Sequence, residues 1–301
     1  MNTNNLVIMV MKLKVNLLSP AKINLGLEIL GKRSDGYHEV DMVMQTVGLF
    51  DEICVEERED KKMYVTINRD VGCDSKENIA YKSAKKFFEY TKINGKGVDI
   101  HINKNIPICA GLAGGSSDGA AVVVGMNNVF NTNLTQSEIL KICEKIGADV
   151  PFCVLGGTAR ATGIGTTLTK INSLDEIQVV IVKPSLSIST REAYSKIDNS
   201  ELLNANRTND LVKAIEDGST IKIISSVFNR FEEVNGISEV KQIKKVLRDN
   251  GAEVACMSGS GPSVFGLFWE KDKANAAFKE LRRSNSEVFL CKTINYGVKI
   301  I

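Results

Sequence analysis

Apolar residues alternate with polar or small ones in some stretches and recur every three to four in others, and the two periods divide the chain into strands and helices. A first strand is predicted over Val7–Leu18, preceded by a short extension, and a second over Ile23–Ile29. The GKRSDG segment from Gly31 to Gly36 reads as a loop, and Val40–Val55 as strand again. Helical spacing follows through Ile79, Ala80, Ala84, Phe87 and Phe88, with Asn78 placed to cap the start. Val98–Ile102 is a strand that feeds a Gly-rich run, and a small-residue helix opens at Ser117. Thr135 and Glu138 have the spacing of a capping box for a further helix ending near Gly147. Strand pieces are expected at Ala159–Thr162 and Thr166–Ile171, and a buried strand at Gln178–Val182. Helices are predicted over Asp210–Glu216, Ile221–Glu233 and Ser238–Asp249. The strands Val254–Met257 and Val264–Phe268 flank a second Gly/Ser loop, and Lys271–Arg283 (helix) and Val288–Ile294 (strand) close the pattern. Strands and helices mixed in this order predict an α+β protein of two domains, divided as 1–165 and 166–301.

Composition narrows the function classes. The chain has 301 residues, 43% hydrophobic and 25% charged, enough for cores that need no disulfide or metal. Net charge is +2 and the lysines are dispersed, so no basic stripe points to nucleic acid. Seven cysteines without a C-x-x-C pair and only two histidines, His38 and His101, argue against a zinc site and for reduced thiols in the cytoplasm. The apolar run Leu6–Met11 is too short to span a membrane. No metal-ligating residue, membrane contact or obligate protein partner is expected.

Candidate chemistry gathers at two Gly/Ser loops. In Pro107-Ile108-Cys109-Ala110-Gly111-Leu112-Ala113-Gly114-Gly115-Ser116-Ser117, glycines let backbone amides approach an anion, and the helix that follows adds free N–H groups. The run is not a Walker A motif, because no Lys-Ser/Thr pair follows its glycines. By itself it is equally well a flexible turn. The second loop, Ser258–Ser263, is either a tight turn or a wall packed against a ligand. Asp149, two residues before Pro151, suits a turn as readily as catalysis. Lys22 and the Tyr37–His38 pair are likewise ordinary surface residues when taken singly.

Together these pieces are no longer ordinary. Pro20-Ala-Lys-Ile-Asn-Leu25, Gly36-Tyr-His38, Pro107–Ser117, Gly147-Ala-Asp-Val-Pro-Phe152 and Ser258-Gly-Ser-Gly-Pro262 occur in one order from about Lys12 to the end. That order resembles the GHMP kinases, the family of galactokinase, homoserine kinase, mevalonate kinase and phosphomevalonate kinase. The G-Y-H segment after P-A-K-I-N-L is similar to the branch of the family whose acceptor is a cytidine-diphosphate-linked methylerythritol, in non-mevalonate isoprenoid precursor synthesis.

The resemblance implies an N-terminal ATP-binding domain with a left-handed βαβ unit, a ferredoxin-like C-terminal domain, and a cleft between them. It implies transfer of the ATP γ-phosphoryl group to the 2-hydroxyl of the acceptor, with Mg²⁺ accompanying ATP. By motif position, Pro107–Ser117 would bind ATP, and Lys22 and Asp149 would form the catalytic pair. Asn24, Tyr37, His38, Thr190 and Tyr194 would contact the acceptor. Tyr37 and Tyr194 would sandwich the cytosine ring, with His38 on its edge. Lys22 would keep the Asp149 carboxylate ionised beside the reacting hydroxyl. Two positions depart from the family's habit: Ala113 where Gly is usual, and Gly119 where Ala is usual. Ala113 matters if its backbone needs a positive φ, and Ser117 is the nearest candidate to touch Mg²⁺. A kinase for another small alcohol, or a nucleotide-binding protein without activity, remain the alternatives.

Overall fold

The computed structural model describes residues 13–174, 176–199 and 207–301. Residues 7–12 of the expected first strand lie outside them. The remainder does not stop at Leu18. It runs on as a single strand, β1 (Lys14–Lys32), whose second half is the Ile23–Ile29 alternation. A register shift between Pro20 and Ala21 absorbs the proline, which cannot donate to the ladder. β2 (His38–Arg58) returns antiparallel, with Lys14 opposite Glu56 and Lys32 opposite His38.

β2 is the spine of the first sheet. Its far half, Glu52–Arg58, pairs with β4 (Gly97–Asn103), and its near half, Val40–Gln45, pairs with β5 (Thr158–Gly163). β3 (Met63–Ile67) lies parallel to β4 and reaches it through α1 (Ile79–Thr91), a βαβ unit. Asn78 caps α1 by accepting from the Ala80 amide, and Ala80, Ser83, Ala84 and Phe87 form its buried stripe. The next helix, α2 (Gly114–Val129), starts three residues earlier than its composition suggested and is buried on nearly every side. α3 (Gln136–Glu144) carries the expected capping box, and a short α4 (Val150–Leu155) not foreseen from the pattern begins just after Asp149. β6 (Thr167–Lys170) pairs with β5 and completes this part of the sheet.

The second sheet starts at β7 (Gln178–Lys183). It continues after α5 (Thr190–Asp198), α6 (Arg207–Glu216), α7 (Thr220–Ser226), β8 (Phe228–Asn229), α8 (Arg230–Asn235) and α9 (Ser238–Asp249). β9 (Val254–Met257), β10 (Val264–Phe268), α10 (Lys271–Leu281) and β11 (Glu287–Lys292) follow, and β12 (Lys299–Ile300) returns to β1. The order β11-β7-β10-β9, all antiparallel, is the ferredoxin-like arrangement of a split βαβ pair. β7 is central and buried on both faces: Val179 and Ile181 face one core, Val180 and Val182 the other. That is why its sequence is an unbroken apolar run rather than an alternation.

One predicted helix is two. Ile221–Glu233 keeps helical spacing throughout, yet Val227 turns extended and Phe228–Asn229 pair in parallel with Gly26–Leu27 of β1. Asn229 decides this locally. Its side chain accepts from the Phe231 amide, capping α8, and donates to the Met257 and Gly259 carbonyls at 2.7 and 2.9 Å. Gly26 makes the approach feasible, since a Cβ there would lie 2.8 Å from Leu211 and 3.2 Å from Phe228.

Candidate active site

The Gly-rich run leaves β4, crosses the mouth of the protein and enters α2. It is held from two sides. The Lys22 amide of β1 donates to Leu112 O at 3.0 Å, and the Ser258 hydroxyl donates to Gly111 O at 3.0 Å. The Ser263 amide reaches Ala110 O at 3.3 Å. The second Gly/Ser loop is therefore a wall against the first, not an isolated turn. Gly111 has φ +76°, and a Cβ on it would lie 2.1 Å from Ser258 O, so no other residue fits this contact. Ala113 at the α2 N-cap is left-handed, φ 55° and ψ 28°, which for a non-glycine residue costs about 1–2 kcal/mol. Cys109 is left-handed too, at φ 52°.

Two cavities meet at this loop. One, of about 450 Å³, is lined by the run from Pro107 to Ser116, by Asn78 and Ile79 at the start of α1, and by Lys104 and Asp118. Ser117 lines neither cavity: it is fully buried in the first turn of α2. The other, of about 510 Å³, lies between the sheets and takes in Lys22, Asn24, Asp149, Thr190, Tyr194 and Phe231. Cys109, Gly111, Ala113, Ser116 and Thr190 border both.

Within the second cavity Lys22 Nζ lies 3.8 Å from Asp149 Oδ2 and donates to Asn24 Oδ1 at 2.6 Å. Lys22 is buried, while the Asp149 carboxylate remains 31% exposed to the cavity. Asp149 occupies the N-cap of α4 with Pro151 in the first turn, but its side chain makes no capping hydrogen bond. The turn that Asp-x-Pro suggested exists, and the carboxylate is free for other work. Asn24 is anchored through its amide, which donates to Ser258 Oγ at 3.3 Å. Thr190 Oγ1 lies 3.1 Å from Ser260 Oγ at the N-terminus of α5.

The aromatic sandwich takes another form. Tyr37 is 62% exposed on the β1–β2 turn and lines neither cavity. Tyr194 instead stacks on His38, with ring centroids 4.4 Å apart and planes 25° apart, and meets Phe231 edge-on. His38 Nε2 lies 2.7 Å from Asp198 Oδ1, and Lys32 Nζ is 2.7 Å from Asp198 Oδ2. The His38 and Lys32 hydrogen bonds hold Asp198 below the usual carboxylate range. Burial, and then the charge of Asp149, push the Tyr194 hydroxyl up to about 12, so it is neutral at physiological pH. Phe231 and Asp198 went unnoticed in the sequence, because an apolar helix residue and an acidic one at a helix end carry no signal of their own.

Beneath the loop lies a buried charge cluster that the sequence did not announce. Lys104 Nζ bridges Asp51 Oδ2 at 2.5 Å and Asp118 Oδ2 at 2.8 Å, all three nearly inaccessible to water. Asp51 Oδ1 accepts from the Asn105 and Ile106 amides at 2.6 and 2.8 Å. Burial pulls the Lys104 ammonium down, but the two carboxylates outweigh it and hold it above its ordinary value. Burial pushes Asp118 up to about 8, and Lys104 offsets only part of that.

The chain is similar to known proteins over nearly its whole length. The sequence model for the GHMP kinases N terminal domain matches residues 78–157, and that for the GHMP kinases C terminal region matches 211–287. A 4-diphosphocytidyl-2-C-methyl-D-erythritol kinase of Alkaliphilus oremlandii is 42% identical over 290 residues, 95% of this chain and 99% of that one. The enzyme of the same name from Clostridium tetani is 43% identical over 277 residues, 91% and 98% of the two chains. A crystal structure of 4-(cytidine 5'-diphospho)-2C-methyl-D-erythritol kinase superposes with a TM-score of 0.78 at 29% identity, covering 92% of this chain and 98% of that one. A homoserine kinase from Cytophaga hutchinsonii has the same fold, with a TM-score of 0.79 at 20% identity, covering 99% and 100%.

Proposed function

Because the chain belongs to the GHMP kinase family, we propose that it transfers the γ-phosphoryl group of ATP to the 2-hydroxyl of 4-diphosphocytidyl-2-C-methyl-D-erythritol. The observation that carries this reading is the shared wall. The cavity behind the Gly-rich loop and the cavity holding Lys22 and Asp149 touch along Gly111, Ala113 and Ser116. A phosphate chain on the loop would thus point its end toward an acceptor beside Asp149.

Phosphoryl transfer needs positioning and electrostatic stabilisation more than covalent chemistry from the protein. The loop amides and the start of α2 supply donors for the phosphates. Asp149 Oδ2 accepts the hydroxyl proton or orients the hydroxyl in line, and Lys22 stabilises charge on the oxygens in transit. Lys22 is itself aimed by Asn24. Mg²⁺ enters as part of the ATP substrate. Among the described residues no group of three or more His, Cys, Asp or Glu forms a metal cage. Among the described residues Asp149 is the one carboxylate lining the acceptor cavity, and Glu77 and Asp118 of the nucleotide cavity are engaged by Lys82 and Lys104, so the ion would be held largely by phosphates and water. Ser117, buried away from both cavities, is not placed to touch it. The cytidine end of the acceptor belongs with Tyr194 and Phe231, which line the cavity, and His38 lines neither cavity but stacks on Tyr194. No helix among the described residues is long and apolar enough to cross a membrane.

A coupled ADP-release assay with the diphosphocytidyl acceptor, homoserine and mevalonate tests the assignment. ADP formation is expected with the first alone. Turnover of another alcohol reassigns the acceptor, and ATP binding without turnover of any makes the chain a nucleotide-binding protein.

A further inference from the structure

We propose that Lys104 is a positioning residue for the nucleotide, clasping the two ends of the Gly-rich loop by bridging Asp51 and Asp118 beneath it. Asp51 grips the entry to the loop through the Asn105 and Ile106 amides. Asp118 rides on α2, the helix that the loop feeds. Lys104 joins them at 2.5 and 2.8 Å and forms part of the floor of the nucleotide cavity. The fit is close: a Cβ on Gly114, the first residue of α2, would lie 3.1 Å from Lys104 Nζ.

Two buried carboxylates under an anion site need a reason, because an extra negative charge there opposes phosphate binding. One ammonium cannot neutralise both. The amides on Asp51 leave Asp118 as the carboxyl that takes a proton. Asp118 is faced by Lys104, by Asp51 of β2 and by the Ser19 hydroxyl of β1 at 3.5 Å. Glu77, on the rim of the same cavity, is already paired with Lys82. With Asp118 protonated the cluster is neutral. Burial holds this carboxyl well above the ordinary carboxylate range, and once pH rises far enough to remove its proton the cluster becomes −1. Nucleotide binding therefore weakens as pH rises through that point, while the acceptor cavity has no reason to follow.

The proposal rests on the reading of residues 107–117 as the ATP loop. Equilibrium titration with ATP, without acceptor, from pH 7 to 9 tests it. Wild-type affinity is expected to fall about five- to tenfold across that range. Asp118→Asn keeps the shape and loses the charge, and its affinity is expected to be flat. Lys104→Met is expected to raise KM for ATP at least about tenfold and leave the acceptor KM within about twofold, since it loosens the loop and not the acceptor wall. A flat wild-type profile, a slope that survives in Asp118→Asn, or equal rises in both KM values overturns the clasp. Should Lys104→Met not fold, the Asp118→Asn profile decides alone. Wild-type protein that binds no nucleotide at any pH overturns the reading of the loop itself, a different result from a pH-independent affinity.

Discussion

The two cavities share a wall but are built on opposite principles. The nucleotide side is built mostly on one contiguous Gly-rich stretch of backbone, Pro107–Ser116, pinned by Gly111 against Ser258. The acceptor side is made from side chains brought from distant segments: Lys22 and Asn24 of β1, Asp149 before α4, Thr190 and Tyr194 of α5, and Phe231 of α8. A backbone site tolerates changes of side chain but not of conformation. A side-chain site tolerates small backbone shifts but not the loss of a group.

The largest effect that contrast predicts is at Asp149. Asp149→Asn removes the proton acceptor and leaves the loop untouched, so kcat is expected to fall about 10²–10⁴-fold with ATP affinity within about twofold. Steady-state kinetics alongside nucleotide titration reads both, and normal turnover would sink the role. The reciprocal test is a pair of glycines. Gly111→Ala places a methyl group 2.1 Å from a backbone oxygen at a positive φ, whereas the nearest atom to a methyl group on Gly115 is Ile79 Cδ1 at an ordinary 3.5 Å. Gly111→Ala is expected to raise KM for ATP at least about tenfold and Gly115→Ala by less than about threefold. Equal effects would mean that the loop binds by something other than its conformation.

A smaller effect lies at Asp198. Its carboxylate orients His38, which stacks on Tyr194. Asp198→Ala frees the imidazole, and the acceptor KM is expected to rise about three- to tenfold with kcat and KM for ATP unchanged. A parallel rise in both KM values would instead mark Asp198 as a structural tie between the β1–β2 turn and α5.

The same contrast explains what was legible beforehand. The loop was visible because backbone recognition is contiguous in sequence. Lys22 and Asp149 became a pair only through the order of five motifs, since nothing local distinguishes a lysine after Pro20 or an Asp-x-Pro turn. The folding pattern was readable wherever one face is buried, as in α1, and where both faces are, as in β7. It failed where a side chain overrode periodicity: Asn229 broke a helix whose spacing never faltered. It was incomplete in the aromatic cluster, where His38, not Tyr37, stacks on Tyr194. Lys104, Asp51 and Asp118 stand 53 and 14 residues apart and look like surface charges until the fold buries them.

Ala113 offers the finest test, because it sets the two principles against each other within one residue. The loop needs a left-handed residue there, and alanine meets that need at a cost of about 1–2 kcal/mol. Ala113→Gly removes the strain, but it also gives the unfolded chain more freedom, worth about 0.4–1 kcal/mol in the other direction. At the middle of both ranges the difference is a net gain of about 0.8 kcal/mol. In a chain of 301 residues that raises Tm by only about 1–3 °C. The methyl group of alanine makes no hydrogen bond and the conformation is unchanged, so KM for ATP is expected to stay within about twofold. Thermal unfolding with nucleotide titration separates the outcomes. A rise in Tm with unchanged affinity supports a site defined by backbone geometry. A loss of affinity would mean that the methyl group itself stiffens the loop.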